Sequence, residues 1–206
     1  FNDLKITSRN VLKSSKSMPK KIYAEGSWYK KLPKPLCIYT PTLCDIKEGG
    51  KNYEGASYEI EYLNLLPLSD LFVFTNLGVG SWQSIFKAIG AMLKHFKKES
   101  KNIEKVDFSE MTNEFFLLKT SKRLKDFSKK TGFDLNKKLS YSKNKDLFSL
   151  AEISNLSSKY IRSFDKKFIQ ISHGDLCFSN ILYDSRSESI KVIDPRGLDF
   201  GGNLTN

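Results

Sequence analysis

Short apolar runs with period-two alternation and longer stretches with helical spacing share this chain, and their order predicts its elements. Val11-Leu12-Lys13 reads as a strand. Pro19 to Leu32 follows as a helix, with Ser17 as the expected N-cap, Ile22, Tyr23, Trp28, Tyr29 and Leu32 on its apolar faces, and Gly26 weakening it slightly. Leu36 to Tyr39 and Thr42 to Ile46 read as β runs broken by Pro41. Ser57 to Leu63 (SYEIEYL) alternates as a further strand. The apolar patch Asp70 to Phe74 is read as a strand at most. A helix is expected from Trp82 to about Lys98, capped by Ser81, with Ile85, Phe86, Ile89, Met92, Leu93 and Phe96 in the core. A second runs from about Glu110 to Lys130, with Phe115, Phe116, Leu124 and Phe127 inward and Gly132 as its stop. A third covers Asp146 to about Phe164, and Phe168 to Ile171 reads as a short β run.

The chemistry gathers in Ile171 to Gly197, ISHGDLCFSNILYDSRSESIKVIDPRG. Ile181-Leu182-Tyr183 and Ile190 to Ile193 are β-type runs around the polar turn Asp184 to Ser189, so they form a hairpin. A hairpin brings its ends together and sets Asn180 beside Asp194. An amide oxygen and a carboxylate are hard ligands of the kind Mg²⁺ takes together with nucleotide phosphates. Asp175, on the preceding loop, is then free to accept a proton from a substrate hydroxyl.

His173-x-Asp175-x-x-x-x-Asn180 followed by a hairpin and Asp194 resembles the catalytic loop of the protein-kinase-like fold. Gly174 after the His and the Ile-Asp-Pro-Arg-Gly ending are more similar to the aminoglycoside phosphotransferase and choline kinase branch. Within it, they look closest to phosphotransferases associated with bacterial surface polysaccharide. The resemblance implies an α+β, two-lobed fold, with a small β-rich lobe over residues 1–64 and a helical lobe over 65–206, each incomplete at its chain end. It implies ATP and Mg²⁺ as cofactors and phosphoryl transfer to a hydroxyl of a small molecule: a sugar, an amino alcohol or a cell-envelope precursor. Asn180 and Asp194 would be the metal ligands and Asp175 the base, with His173 fastening the loop or, as the alternative, acting as base. By the same resemblance Lys13 would contact the α- and β-phosphates, with Lys16 competing for that role, and Glu25 would orient the lysine. Glu61 and Leu63, within one or two positions, would offer hinge backbone groups to adenine; an ordinary sheet strand fits the same pattern. Arg196 is open between a phosphate or anionic-substrate contact and a surface ion pair. No glycine-rich phosphate loop precedes Lys13.

Composition changes this little. The 39% hydrophobic and 13% aromatic content fits a folded chain, and no run is long enough for a transmembrane span. Cys37, Cys44 and Cys177 match neither a disulfide framework nor a zinc spacing. They read as buried or incidental thiols in a reducing cytoplasm, Cys177 as packing. The net charge of +11 is interleaved with acidic residues and lacks the aromatics of a single-strand groove, which argues against a specific nucleic-acid partner. A catalytically inactive kinase-like module and, behind it, a basic nucleic-acid-binding protein are the competing expectations.

Overall fold

The computed structural model describes residues 2–100, 117–142, 145–163 and 171–196. In chain order the strands and helices up to residue 100 are β1 (Asp3–Ile6), β2 (Asn10–Ser14), α1 (Pro19–Lys31), β3 (Leu43–Lys47), β4 (Ser57–Glu61), β5 (Leu66–Pro67), α2 (Leu68–Phe74) and α3 (Val79–Glu99). There follow α4 (Lys119–Thr131), β6 (Lys138–Ser142), β7 (Lys145–Ser149), α5 (Leu150–Ser163), β8 (Ile181–Asp184) and β9 (Ser189–Val192). The fold is mixed α+β, and every strand pair among the described residues is antiparallel. The chain forms two compact units, residues 1–102 with 168–206, and residues 103–167. Position 64/65, where a lobe boundary is expected, lies inside the first unit.

The first unit holds a four-stranded sheet in the order β1-β2-β4-β3 and a three-stranded sheet in the order β5-β8-β9. Helix α1 lies on β3 and β4. Pro19 starts it, since a missing N–H costs nothing in the first turn. Gly26 has a reason that spacing alone does not give: a Cβ there would stand 2.8 Å from Ile46 Cδ1 and 2.9 Å from Tyr58 Cβ. Ile22, Trp28, Tyr58, Ile85, Met92, Phe96, Ile190 and Val192 belong to one buried core.

Several sequence expectations need correction here. Leu36 to Tyr39 is no strand but part of a 3₁₀ helix, Lys34–Tyr39. Pro33 and Pro35 turn the chain, and the Leu36 N–H donates to the Pro33 carbonyl at 2.8 Å. Asp70 to Phe74 is helical, because Pro67 ends β5 and α2 begins at once with Leu68 buried. Helix α3 starts at Val79 with Gly78 as its N-cap, ahead of Ser81, and Met18 rather than Ser17 caps α1, its N–H bonded to Ser15 Oγ. Phe86 and Leu93, expected in the core, are exposed, while Ile85, Met92 and Phe96 on the adjoining stripe are buried.

In the second unit, Asp146 to Ser149 is strand, not helix. It belongs to β7, paired with β6, a strand that the spacing did not reveal. Helix α5 begins after it on a reciprocal cap. The Glu152 N–H donates to Ser149 Oγ at 3.1 Å, and the Ser149 N–H donates to Glu152 Oε2 at 2.7 Å. That bond holds the Glu152 carboxyl below its usual range. Gly132, at φ 71°, closes α4 in the left-handed conformation, as its position predicts. Phe127, read as inward, is exposed. The expectations on Glu110 to Phe116, Phe164 and Phe168 to Gln170 lie outside the described residues; Ile171 is buried but not in a strand.

Candidate functional site

Strand β2 places Lys13 opposite Tyr58 of β4, with the lysine on the side that α1 covers. Lys13 is buried, 5% exposed, whereas Lys16 is exposed beyond the strand end and does not share this environment. Glu25 comes from the buried face of α1 and is 2% exposed. Lys13 Nζ lies 2.8 Å from Glu25 Oε2 and donates to Asp194 Oδ1 at 3.0 Å. Tyr58 Oη donates to Glu25 Oε2 at 3.1 Å, and Lys21 Nζ stands 3.5 Å from Glu25 Oε1. A buried ammonium is costly unless paired and hydrogen-bonded, and here two carboxylates do both. Burial works against the charge on Lys13, but Asp194 and Glu25 outweigh it, so its pKa lies above the ordinary lysine value.

The loop that carries Asp175 is held from three directions. His173 Nε2 lies 2.9 Å from the Ile193 carbonyl, so Nε2 carries the proton and donates. The Arg196 N–H returns a bond to the His173 carbonyl at 2.9 Å. Trp28 Nε1 of α1 donates to the Ser172 carbonyl at 3.0 Å, and its ring meets the His173 ring edge-on at 5.8 Å. His173 is buried, which depresses its pKa and favours the neutral imidazole; its position is that of a fastening residue.

Asn180 closes the geometry. Its Nδ2 donates to the Asp175 carbonyl at 2.9 Å, and its own carbonyl accepts the Ile193 N–H at 3.0 Å. The amide nitrogen is thus committed to the loop, and the backbone bond ties the start of β8 to the residue before Asp194. Asp194 itself sits at φ 57°, a left-handed conformation that costs a non-glycine residue about 1 kcal/mol or more. Asp175 is exposed, and its Oδ1 lies 3.5 Å from Arg196 Nη2. Arg196 therefore forms an ion pair, and its partner is the candidate base.

Glu61 and Leu63 stand further along, at the end of β4 and beyond it. The Glu61 N–H donates to the Thr42 carbonyl at 2.9 Å, and its carboxylate accepts the Thr42 N–H and Oγ1. Glu61 thus braces β4 against the residue before β3. Of the two expectations for the cysteines, buried or incidental, burial is corrected, since Cys37, Cys44 and Cys177 are all exposed. Cys177 Sγ lies 3.1 Å from Ser179 Oγ at the surface, so it does not pack.

Tyr58, Tyr29 and Trp28 belong to this site and were read only as apolar. The alternation of SYEIEYL puts Tyr58 on the buried face with Ile60, and Tyr29 follows Glu25 by one helical turn. Those are the signals that could have found them. Burial pushes both tyrosine hydroxyls well above their ordinary pKa.

No protein-family model matches the chain, and no curated protein matches it. Among the described residues no group of three or more His, Cys, Asp or Glu side chains is arranged to hold a metal. No helix among them is long and apolar enough to cross a membrane.

Proposed function

We propose that the chain is an ATP- and Mg²⁺-dependent phosphotransferase of the aminoglycoside phosphotransferase and choline kinase type, acting in the cytoplasm on a hydroxyl of a small molecule. On this reading residues 1–64 and 65–206 are the small and large lobes of a protein-kinase-like fold. The observation that carries it is the meeting at Lys13 of Glu25, twelve residues on, with Asp194, 181 residues on. A lysine oriented by a helix glutamate and standing beside a candidate metal aspartate is what a triphosphate site of this class requires.

The donor set suits Mg²⁺. Asn180 and Asp194 offer an amide and a carboxylate oxygen, and this ion is commonly held by one or two protein oxygens while phosphates and waters complete its shell. Bound there, it would neutralise charge on the phosphates. Lys13 would contact the α- and β-phosphates. Asp175 would take the proton of the acceptor hydroxyl as its oxygen bonds to the γ-phosphorus and the bond to the β-phosphate oxygen breaks. His173, Trp28 and Asn180 would hold the loop in place, and backbone groups near Glu61 and Leu63 would meet the adenine.

A second reading, a kinase-like binding module without catalysis, is favoured by the β1–β2 turn. Thr7, Ser8 and Arg9 form it without glycine, and Thr7 Oγ1 closes it by bonding Asn10. Calorimetry with ATP, with and without Mg²⁺, tests both. Binding that needs Mg²⁺ and is lost in Asp194→Ala is expected. Transfer or ATP hydrolysis that disappears in Asp175→Asn separates the enzyme from the silent module. ATP binding that ignores both Mg²⁺ and the Asp194 change would sink the nucleotide reading.

A further inference from the structure

Four rings gather on the loop that carries the candidate base. Phe178 lies in that loop, between Asp175 and Asn180. Its ring stacks with Trp82 of α3, 6.0 Å between centroids and 13° between planes, and meets Phe72 of α2 edge-on at 6.1 Å. Phe86, one helical turn after Trp82, stands 6.1 Å from Trp82 and 6.5 Å from Phe178. Rings at these separations hold one another in place. Trp82 and Phe178 are half-buried, but Phe72 is 66% exposed and Phe86 54%. Val73, Phe74 and Val79, on the same two helices, are open to water as well. Exposed apolar surface gathered in this way marks a place where something binds.

Charge narrows the occupant. In a chain with 28% charged residues, positions 71–86 carry no Asp, Glu, Lys or Arg. That stretch offers no carboxylate to a cation and no ammonium to an anion, so the part it recognises is neutral and apolar. Position narrows it further. Three residues of chain span at most about 11 Å, so Phe178 stands no farther than that from Asp175. The Asn180 Nδ2 bond to the Asp175 carbonyl at 2.9 Å folds the loop more tightly still. A molecule lying on the rings therefore reaches the candidate base. A second copy of the chain fits this surface less well. A stable interface takes roughly 800 Å² and about 20–30 residues from each partner, and a net charge of +11 repels its own copy.

We propose that Phe72, Trp82, Phe86 and Phe178 form an apolar subsite for the acceptor, across which an alkyl or acyl chain lies while the hydroxyl to be phosphorylated stands at Asp175. The inference rests on the proposed function and gives its acceptor a class, an uncharged, hydroxyl-bearing amphiphile.

Octyl β-glucoside, kept below its micelle concentration, and methyl β-glucoside share a neutral head group and differ only in the chain. Each methylene covered is worth about fourfold in affinity, so the octyl compound should bind at least about tenfold tighter. Intrinsic fluorescence reads the binding, because of the two tryptophans Trp28 is buried and Trp82 lies in the cluster. Phe72→Ser and Phe86→Ser, singly and together, change exposed side chains. They should keep a cooperative melt and lose the preference for the longer chain. With ATP and Mn²⁺ in place of Mg²⁺, the head-group proton resonances of octyl β-glucoside should broaden, and the broadening should vanish in the double variant. Equal affinity for the two glucosides overturns the inference and leaves the nucleotide reading standing. A preference that survives the double variant does the same, since the detergent then binds elsewhere. So does a preference without broadening by bound Mn²⁺, which sets the rings apart from the acceptor position. A dimer that the double variant dissociates gives the surface to a second copy and overturns the subsite. Absence of cation-dependent ATP binding overturns the nucleotide reading and the acceptor role with it.

Discussion

Glu25→Gln is the substitution whose consequence the geometry specifies most closely. Gln keeps the volume and an oxygen that can accept from Tyr58 Oη, so packing and that bond at 3.1 Å survive. What is lost is the negative charge 2.8 Å from a buried ammonium. Removing one partner of a buried ion pair costs about 3–5 kcal/mol when nothing else compensates. Lys13 keeps Asp194, however, whose side chain is 49% exposed and whose field water weakens. The Lys21 contact at 3.5 Å, from a side chain 29% exposed, is long and adds no more than about 0.5 kcal/mol. The expected cost is therefore about 2–3 kcal/mol, or roughly 5–10 °C in melting temperature for a chain of this size.

The pH dependence gives an independent check. The folded pKa of Lys13 lies above its ordinary 10.5, so its contribution is fully present below the unfolded lysine value and declines as pH rises through the folded one. Thermal melts from pH 7 to 11 should show this alkaline decline shrinking in Glu25→Gln, because one of the two charges that raise Lys13 is gone. A loss under about 0.5 kcal/mol at pH 7 would refute the claim that the pair matters. The double variant Lys13→Met with Glu25→Leu should recover most of the loss, since a buried pair replaced by apolar groups is often neutral or better. Additive losses in the double variant would also refute the reasoning.

Gly26→Ala should destabilise by about 1–2 kcal/mol in denaturant melts. Overpacking against Tyr58 Cβ, which moves only with its strand, outweighs the helix-propensity gain. Trp28→Phe removes the Ser172 bond and part of a fully buried ring, and should cost about 2–3 kcal/mol. The buried, neutral His173 should make stability fall as pH drops below its unfolded value near 6.5, and His173→Gln should flatten that limb of the melting profile. Ser149→Ala should cost about 1 kcal/mol in a urea melt by removing the cap of α5.

The elements that were legible in the sequence are those whose signal is local. Strand β2, helix α1 and the β8–β9 hairpin each carry their own period and their own stop, and they lie within a residue or two of where the pattern puts them. The failures are short apolar runs. Leu36 to Tyr39, Asp70 to Phe74 and Asp146 to Ser149 each satisfy helix and strand templates equally well over four or five residues. Flanking residues decided them. Pro33, Pro35 and Pro67 turned the first two into helical turns, and the Ser149–Glu152 cap fixed where α5 could begin. Tyr29 and Tyr58 stayed hidden for a different reason, since a tyrosine in an apolar stripe reads as core, and only the fold shows which hydroxyl meets a charge.

The charges at Lys13 carry the argument from fold toward use. Apolar side chains could fill the space among α1, β2 and β4 at no loss of stability, and a buried ion pair is weak evidence for stability in any case. The chain instead places a lysine between two carboxylates, one sealed under Tyr58 and one half in solvent. The sealed partner holds the ammonium in position. The exposed one meets water and spends one oxygen on Lys13. An arrangement with one sealed and one exposed partner suits a lysine that must exchange a carboxylate for a phosphate without being rebuilt. If stability alone were at stake, the Lys13→Met, Glu25→Leu variant would be an equal replacement. On the proposed function it should fold as well as the unmodified chain and bind no ATP with Mg²⁺, and the divergence of those two measurements separates a structural ion pair from a nucleotide site.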